Sequence, residues 1–143
     1  MQVITTRCDC GAVFIEVGLS RPLADYQPRQ CDCDFCTERA IQYISDAKGF
    51  ISITTCQPLV NLTQGSAQAR FLQCAHCQTV VAVSYQEQQS MLGAVNIMLF
   101  GERGLMQPAM VASPKLLAPE EKLSRWRQLW MPLQLKINTA AKS

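Results

Sequence analysis

The sequence predicts a small, mainly β domain followed by a C-terminal helix. Three observations predict it. Short segments rich in β-branched and aromatic residues recur between breaks at Gly49, Pro58 and Gly65-Ser66. Eight cysteines fall largely into CxC and CxxC spacings. After Phe100 the texture changes: Gly and Pro recur at intervals, and one helical pattern follows.

A chain of 143 residues usually holds one core. Apolar types make up 48% of it and charged types 17%, which excludes a disordered chain. The formal charge is only +2, and two bound Zn²⁺ with seven thiolates would bring it close to neutral. That excludes nucleic acid as the default partner, because phosphate binding needs a basic face. MQVITTRC shows no basic segment followed by an apolar run, and no stretch approaches the roughly 18 apolar residues of a membrane span. A cytoplasmic protein with no membrane partner is therefore expected. In that setting CxC and CxxC spacings point to metal rather than to disulfides.

Taken in order, residues 3–6 and 12–17 read as strands around a turn at Cys8 and Gly11. Pro22 and Pro28 bracket a loop that leads into QCDCDFC. Further short strands are expected at 41–44, 50–54, 59–62, 69–73 and 80–85. Alternation is clearest in FISITT, where Phe50, Ile51 and Ile53 stand among Ser and Thr. This rhythm places a zinc-binding β domain at residues 1–100 and a C-terminal extension, packed on the same domain, at 101–143. Within the extension a helix is expected at about 119–131. Pro119 opens it and Glu120 and Glu121 favour its positive end. Leu123, Trp126, Leu129 and Trp130 share one face until Pro132 stops the helix. Such a stripe packs on the domain or across a homodimer interface, with a ligand or partner surface as the alternative.

Cys8-Asp9-Cys10 and Cys74-Ala75-His76-Cys77 each offer two thiolates to one metal, and together they make a four-sulfur site. Zinc accepts tetrahedral sulfur without a d-electron penalty, so Cys8, Cys10, Cys74 and Cys77 are expected to hold a structural Zn²⁺. Cys31, Cys33 and Cys36 form a second, three-sulfur cluster. Three readings of it stand. Cys56, Asp32, Asp34 or His76 closes it as another structural zinc; its fourth position stays open to water or a thiol, as in a catalytic zinc; or it holds no metal. Cys56 itself, at the end of FISITTC, reads equally well as a small buried hydrophobe.

Three thiolates on Zn²⁺ leave a centre of net negative charge, which acidifies water less than a three-histidine zinc does. It still takes up an exogenous thiol as thiolate. Carbon–sulfur chemistry at a small carbonyl therefore suits the trio better than peptide hydrolysis. The one histidine, His76, lies inside a knuckle and reads as solvated. Arg29, Arg39 and Arg70 are candidates to clamp a carboxylate near the metal, although each taken alone is an ordinary surface arginine.

The order CDCG, CDCDFC and CAHC resembles the glutathione-dependent formaldehyde-activating enzymes, a family that includes centromere-protein-V-like proteins and shares the Mss4-like β fold. KLSRW and LGAVNIML are similar to later elements of that family. The resemblance implies a structural zinc on Cys8, Cys10, Cys74 and Cys77. It also implies a catalytic zinc on Cys31, Cys33 and Cys36 that takes the thiol of glutathione and joins it to formaldehyde, a carbon–sulfur lyase reaction. The sequence departs from the pattern at Asp32, where the family shows His, at Thr37-Glu38, which replace a basic pair, and at Gln78, which replaces a Gly. A non-catalytic zinc module that binds another protein is the second reading.

Overall fold

The structure is a computed structural model that describes residues 2–31, 34–63, 68–112 and 118–138. Along the chain lie β1 (Gln2–Arg7), β2 (Val13–Leu19), β3 (Arg29–Cys31), α1 (Asp34–Arg39), β4 (Tyr43–Ile44), β5 (Phe50–Thr55) and β6 (Val60–Thr63). They are followed by β7 (Arg70–Gln73), β8 (Val80–Glu87), β9 (Ser90–Asn96), β10 (Met110–Ala112), α2 (Pro119–Leu129) and β11 (Met131–Ile137). Short 3₁₀ turns occupy Leu23–Asp25, Ile97–Leu99 and Gly101–Leu105.

The strands join into one open network. β1, β2 and β5 are antiparallel neighbours, and β5 pairs in parallel with β11. β11 begins beside β9, where Met131 faces Gly93, and from Leu133 onward it runs along β5. β9 continues to β8, β7 and β6 on one side, and through β4 to β3 and β10 on the other. The fold is thus mainly β with a C-terminal helix, as the short apolar segments predict. Residues beyond Phe100, read from sequence as an extension, supply two of the strands, and β11 lies between β5 and β9. The helix ends at Leu129, two residues short of the expected limit.

Alternation decides which faces are buried. In β5 Ile51, Ile53 and Thr55 point inward while Phe50, Ser52 and Thr54 are half-buried. Ile15 and Val17 on β2 and Leu133 on β11 join them in a first core with Val95, Phe100 and Met131. A second core holds Cys36, Ile41, Tyr43, Phe71, Tyr85 and Trp130, with Leu123 and Trp126 of α2 packed against it. The apolar stripe of α2 therefore lies on the sheet, except that Leu129 is exposed. Gly93 is required where β11 crosses β9: a Cβ there would stand 2.6 Å from the Val83 carbonyl oxygen and 2.7 Å from a Leu133 methyl.

A buried carboxylate fastens the loops beside the first core. Asp46 accepts from the Tyr26 hydroxyl at 2.5 Å, the Ser20 hydroxyl at 2.6 Å, and the amides of Ser20 and Lys48, each at 2.9 Å. Burial alone would raise its pKa, but these four donors outweigh burial and hold it well below the carboxylate range. No helix among the described residues is long and apolar enough to cross a membrane.

Candidate metal centre

The two distant knuckles meet. The Sγ atoms of Cys8, Cys10, Cys74 and Cys77 all lie within 4.8 Å of one another. Cys10 Sγ is 3.6 Å from both Cys8 Sγ and Cys74 Sγ. The first knuckle is the turn between β1 and β2, and the second is the turn between β7 and β8. They share one backbone design. Cys8 donates its amide to the Val13 carbonyl at 3.1 Å, and Cys74 donates to Thr79 at 2.9 Å, five residues on in both cases. Each carbonyl accepts a bond that folds the chain back, Cys8 from Gly11 at 2.9 Å and Cys74 from Gln78 at 3.0 Å.

A left-handed residue follows the second cysteine in both turns: Gly11 at φ 80° and Gln78 at φ 61°. Gln78, where the resembling family carries glycine, thus puts a side chain on a backbone that favours glycine. Gln73 steadies the turn by donating Nε2 to the Gln78 carbonyl at 2.9 Å.

The thiols differ in environment. Burial pushes Cys8 up to about 12 and raises Cys74 as well. Cys77 moves the other way. Burial opposes its ionisation, but the Thr79 hydroxyl at 3.1 Å, with the amides of Cys10 and Thr79, brings it down to about 6. A thiolate is thus favoured at Cys77, while the buried pair needs a cation before it gives up its protons. Four sulfurs at this separation can hold a metal ion. His76 is exposed at the surface of the knuckle.

The other cysteines lie elsewhere. Cys36 is buried in the second core, with its Sγ 3.9 Å from the Tyr43 hydroxyl. Cys33 and Asp32 lie outside the described residues, and Cys31 is described only as the end of β3. Helix α1 closes behind Cys36 in a Schellman turn: Ile41 donates to the Cys36 carbonyl and Ala40 to Thr37, each at 3.2 Å, with Ala40 left-handed at φ 51°. Cys56 is half-buried beside the first knuckle, its Sγ 3.9 Å from the Ala12 carbonyl.

Of the candidate arginines, Arg29 is half-buried and donates to Ser45 Oγ at 2.6 Å. Arg39 stands 3.8 Å from Glu38 at the surface. Arg70 is exposed on β7. Arg125 is not marked by the sequence, yet from α2 it acts electrostatically on Arg29. An exposed arginine on a helix carries no pattern that distinguishes it.

No family model matches the sequence, and no curated protein does. Among solved structures, the crystal structure of a Rhodobacter sphaeroides protein is similar. It has a TM-score of 0.56 and 25% identity, and the match covers 75% of this chain and 100% of that one. The likeness supports the fold.

Proposed function

We propose that this is a cytoplasmic zinc enzyme of the formaldehyde-activating kind. On this reading Cys8, Cys10, Cys74 and Cys77 hold a structural Zn²⁺. Cys31, Cys33 and Cys36 hold a second one, at which a small thiol such as glutathione is joined to, or released from, an aldehyde such as formaldehyde. One observation carries the reading: the four-sulfur group is complete without the trio, and the placed member of the trio, Cys36, lies in the other core. The four-sulfur group therefore needs none of the three cysteines that lie within six residues of one another.

The donor set suits zinc. Zn–S bonds of about 2.3 Å give a tetrahedron whose sulfurs stand about 3.8 Å apart; Cys10 Sγ is 3.6 Å from two of its partners, and all four sulfurs lie within 4.8 Å of one another. At the trio, Cys31, Cys33 and Cys36 would hold a zinc, which would supply a Lewis acid that lowers the pKa of an incoming thiol. The chain's own contribution is position. On this reading the buried Tyr43 hydroxyl, 3.9 Å from Cys36 Sγ, would serve as a donor toward a developing alkoxide.

The test is formaldehyde consumption in the presence of glutathione, together with melting of the protein with and without the thiol. Wild type is expected to show both turnover and thiol-dependent stabilisation. Cys33→Ala is expected to lose both while keeping the fold. A melting profile that stays flat across thiols overturns the proposal.

The rival, a non-catalytic zinc module, draws on a different observation. Leu105, Met110 and Val111 are 65%, 48% and 67% exposed around the edge strand β10, a surface that a protein partner or a second copy would cover. Metal counting with X-ray absorption at the zinc edge separates the two. A light-atom ligand at one of two zincs favours the enzyme, and all-sulfur shells favour the module.

A further inference from the structure

We propose that Cys10 is a peroxide-sensitive modification site within the four-sulfur group. Oxidation there joins Cys10 to Cys74 and releases the metal. The proposal rests on reading the group as a zinc site. Its four sulfurs are not equally protected. Cys8 and Cys74 are only 4% and 2% exposed. Cys77 is half-buried, and its sulfur has three donors: the Thr79 hydroxyl at 3.1 Å and the amides of Cys10 and Thr79. The amides of His76 and Cys77 serve the Cys74 sulfur in the same way. Such bonds strengthen when the sulfur is charged, and they are weakened when it attacks an electrophile. Of the four, Cys10 is the exposed one. An oxidant from solvent meets it first.

The turn around Cys10 suits a reacting sulfur. Arg7 stacks over the Phe14 ring at 4.9 Å and donates Nη1 to the Gly11 carbonyl at 3.1 Å. A cation is thereby held at the residue that follows Cys10, the electropositive and accessible setting in which thiolates react. Asp9 Oδ2 lies 3.5 Å from Thr79 Oγ1, so that carboxylate is turned toward the second knuckle. The partner sulfur is also in place, since Cys74 Sγ is 3.6 Å from Cys10 Sγ. Cys8 Sγ is equally near, but one residue separates it from Cys10, and a bridge there strains the disulfide geometry. The chemistry takes two displacements. Cys10 thiolate attacks one peroxide oxygen, the O–O bond breaks, hydroxide leaves and a sulfenic acid remains. Cys74 thiolate then attacks that sulfur, the S–O bond breaks, a second hydroxide leaves and the S–S bond forms. The two sulfurs lose two electrons, the peroxide gains them, and both hydroxides take up protons to become water. Cys8 and Cys77 alone are too few to keep a zinc ion, so they are protonated as it departs. The new bridge keeps the two hairpins tied.

The experiment treats the full chain, purified with zinc, with limiting hydrogen peroxide. Released zinc is followed with a chromogenic chelator, and disulfides are mapped by mass spectrometry. Wild type is expected to release zinc in step with a Cys10–Cys74 bridge, and dithiothreitol with added Zn²⁺ is expected to reverse both. Limiting iodoacetamide gives a second readout on the unoxidised chain. Cys10 is expected to react about tenfold faster than Cys77, the factor by which loss of one hydrogen bond to a charged sulfur slows a rate. Thr79→Val leaves all four sulfurs in place and is expected to bring Cys77 toward the rate of Cys10. First oxidation at any cysteine other than Cys10, a bridge other than Cys10–Cys74, or zinc retained at peroxide levels that oxidise free glutathione overturns the proposal and leaves the zinc site standing. Metal analysis that finds no zinc in the purified chain overturns the zinc reading and the proposal with it.

Discussion

Cys10 Sγ lies 3.6 Å from Cys74 Sγ, although the two residues are 64 positions apart. Among the described residues the strand ladder connects their hairpins by a long route, from β2 through β5, β11, β9 and β8 to β7. The sulfur cluster closes that route at its open end. A metal held there would cross-link distant segments and make its binding part of the folding free energy. Cys74→Ala, or removal of metal by a chelator at neutral pH, is expected to abolish the cooperative thermal transition. Cys56→Ala, which deletes a thiol near the Ala12 carbonyl and outside the cluster, is expected to cost under about 1 kcal/mol. Circular dichroism melts of the two variants check both outcomes, and an undisturbed Cys74→Ala melt would remove the structural role.

The turns behind two of the cysteine segments carry strain that glycine would relieve. Ala40 at φ 51° and Gln78 at φ 61° place a Cβ in the left-handed region, which costs about 1–2 kcal/mol for an L-residue. Glycine gives part of that back through its greater entropy in the unfolded chain. Ala40→Gly and Gln78→Gly are each expected to stabilise by about 0.5–1 kcal/mol. Gly11→Ala is the control. At φ 80°, with nothing within 4 Å of the added Cβ, it tests backbone conformation without a clash and is expected to destabilise by about 1 kcal/mol. Urea unfolding of the metal-loaded variants measures all three.

The same residues show what the sequence reveals and what it conceals. FISITT announces its strand because every second side chain is buried, and the two CxC and CxxC turns announce their cluster because a knuckle offers both sulfurs locally. β3 and β10 have three residues each, too few to display a period. β11 is different. Met131, Leu133, Leu135 and Ile137 do alternate, but Pro132 reads as a helix stop and masks the strand in which it sits. Proline is tolerated there because it sits near the start of the strand, where β11 passes from β9 to β5. Ser45 had no signal at all, because its partnership with Arg29 depends on which strand comes to lie beside β3.

Asp46 sets an acid limit on stability. Its folded pKa is depressed below the unfolded value of about 3.9, so the ionised form is stabilised by folding. A depressed carboxylate contributes stability above its unfolded pKa and loses it as pH falls through the folded one. The protein is therefore expected to lose stability progressively below about pH 4. Asp46→Asn removes the charge that the Ser20, Tyr26 and Lys48 donors serve. It is expected to cost about 2 kcal/mol at pH 7 and to flatten the profile between pH 5 and the acid transition. Because acid also strips metal from thiolates, the comparison that counts is the difference between wild type and Asp46→Asn at each pH.

Trp126 and Trp130 stack with ring centroids 4.6 Å apart and 13° between planes, and Tyr85 lies 5.6 Å from the first and 5.8 Å from the second. Trp130 is 8% exposed and caps α2 one residue before β11 enters the sheet. It therefore holds the helix on the second core and fixes where the last strand begins. Trp126 covers the stack from the solvent side and is half-buried. Trp130→Ala is expected to cost about 3–5 kcal/mol, the usual loss for a large buried aromatic, and Trp126→Ala clearly less. If the stripe existed chiefly to meet a partner, truncation would weaken association while leaving the isolated chain's unfolding curve in place. Chemical denaturation at low protein concentration makes that distinction, and equal midpoints for Trp130→Ala and wild type would assign the stripe to an interface.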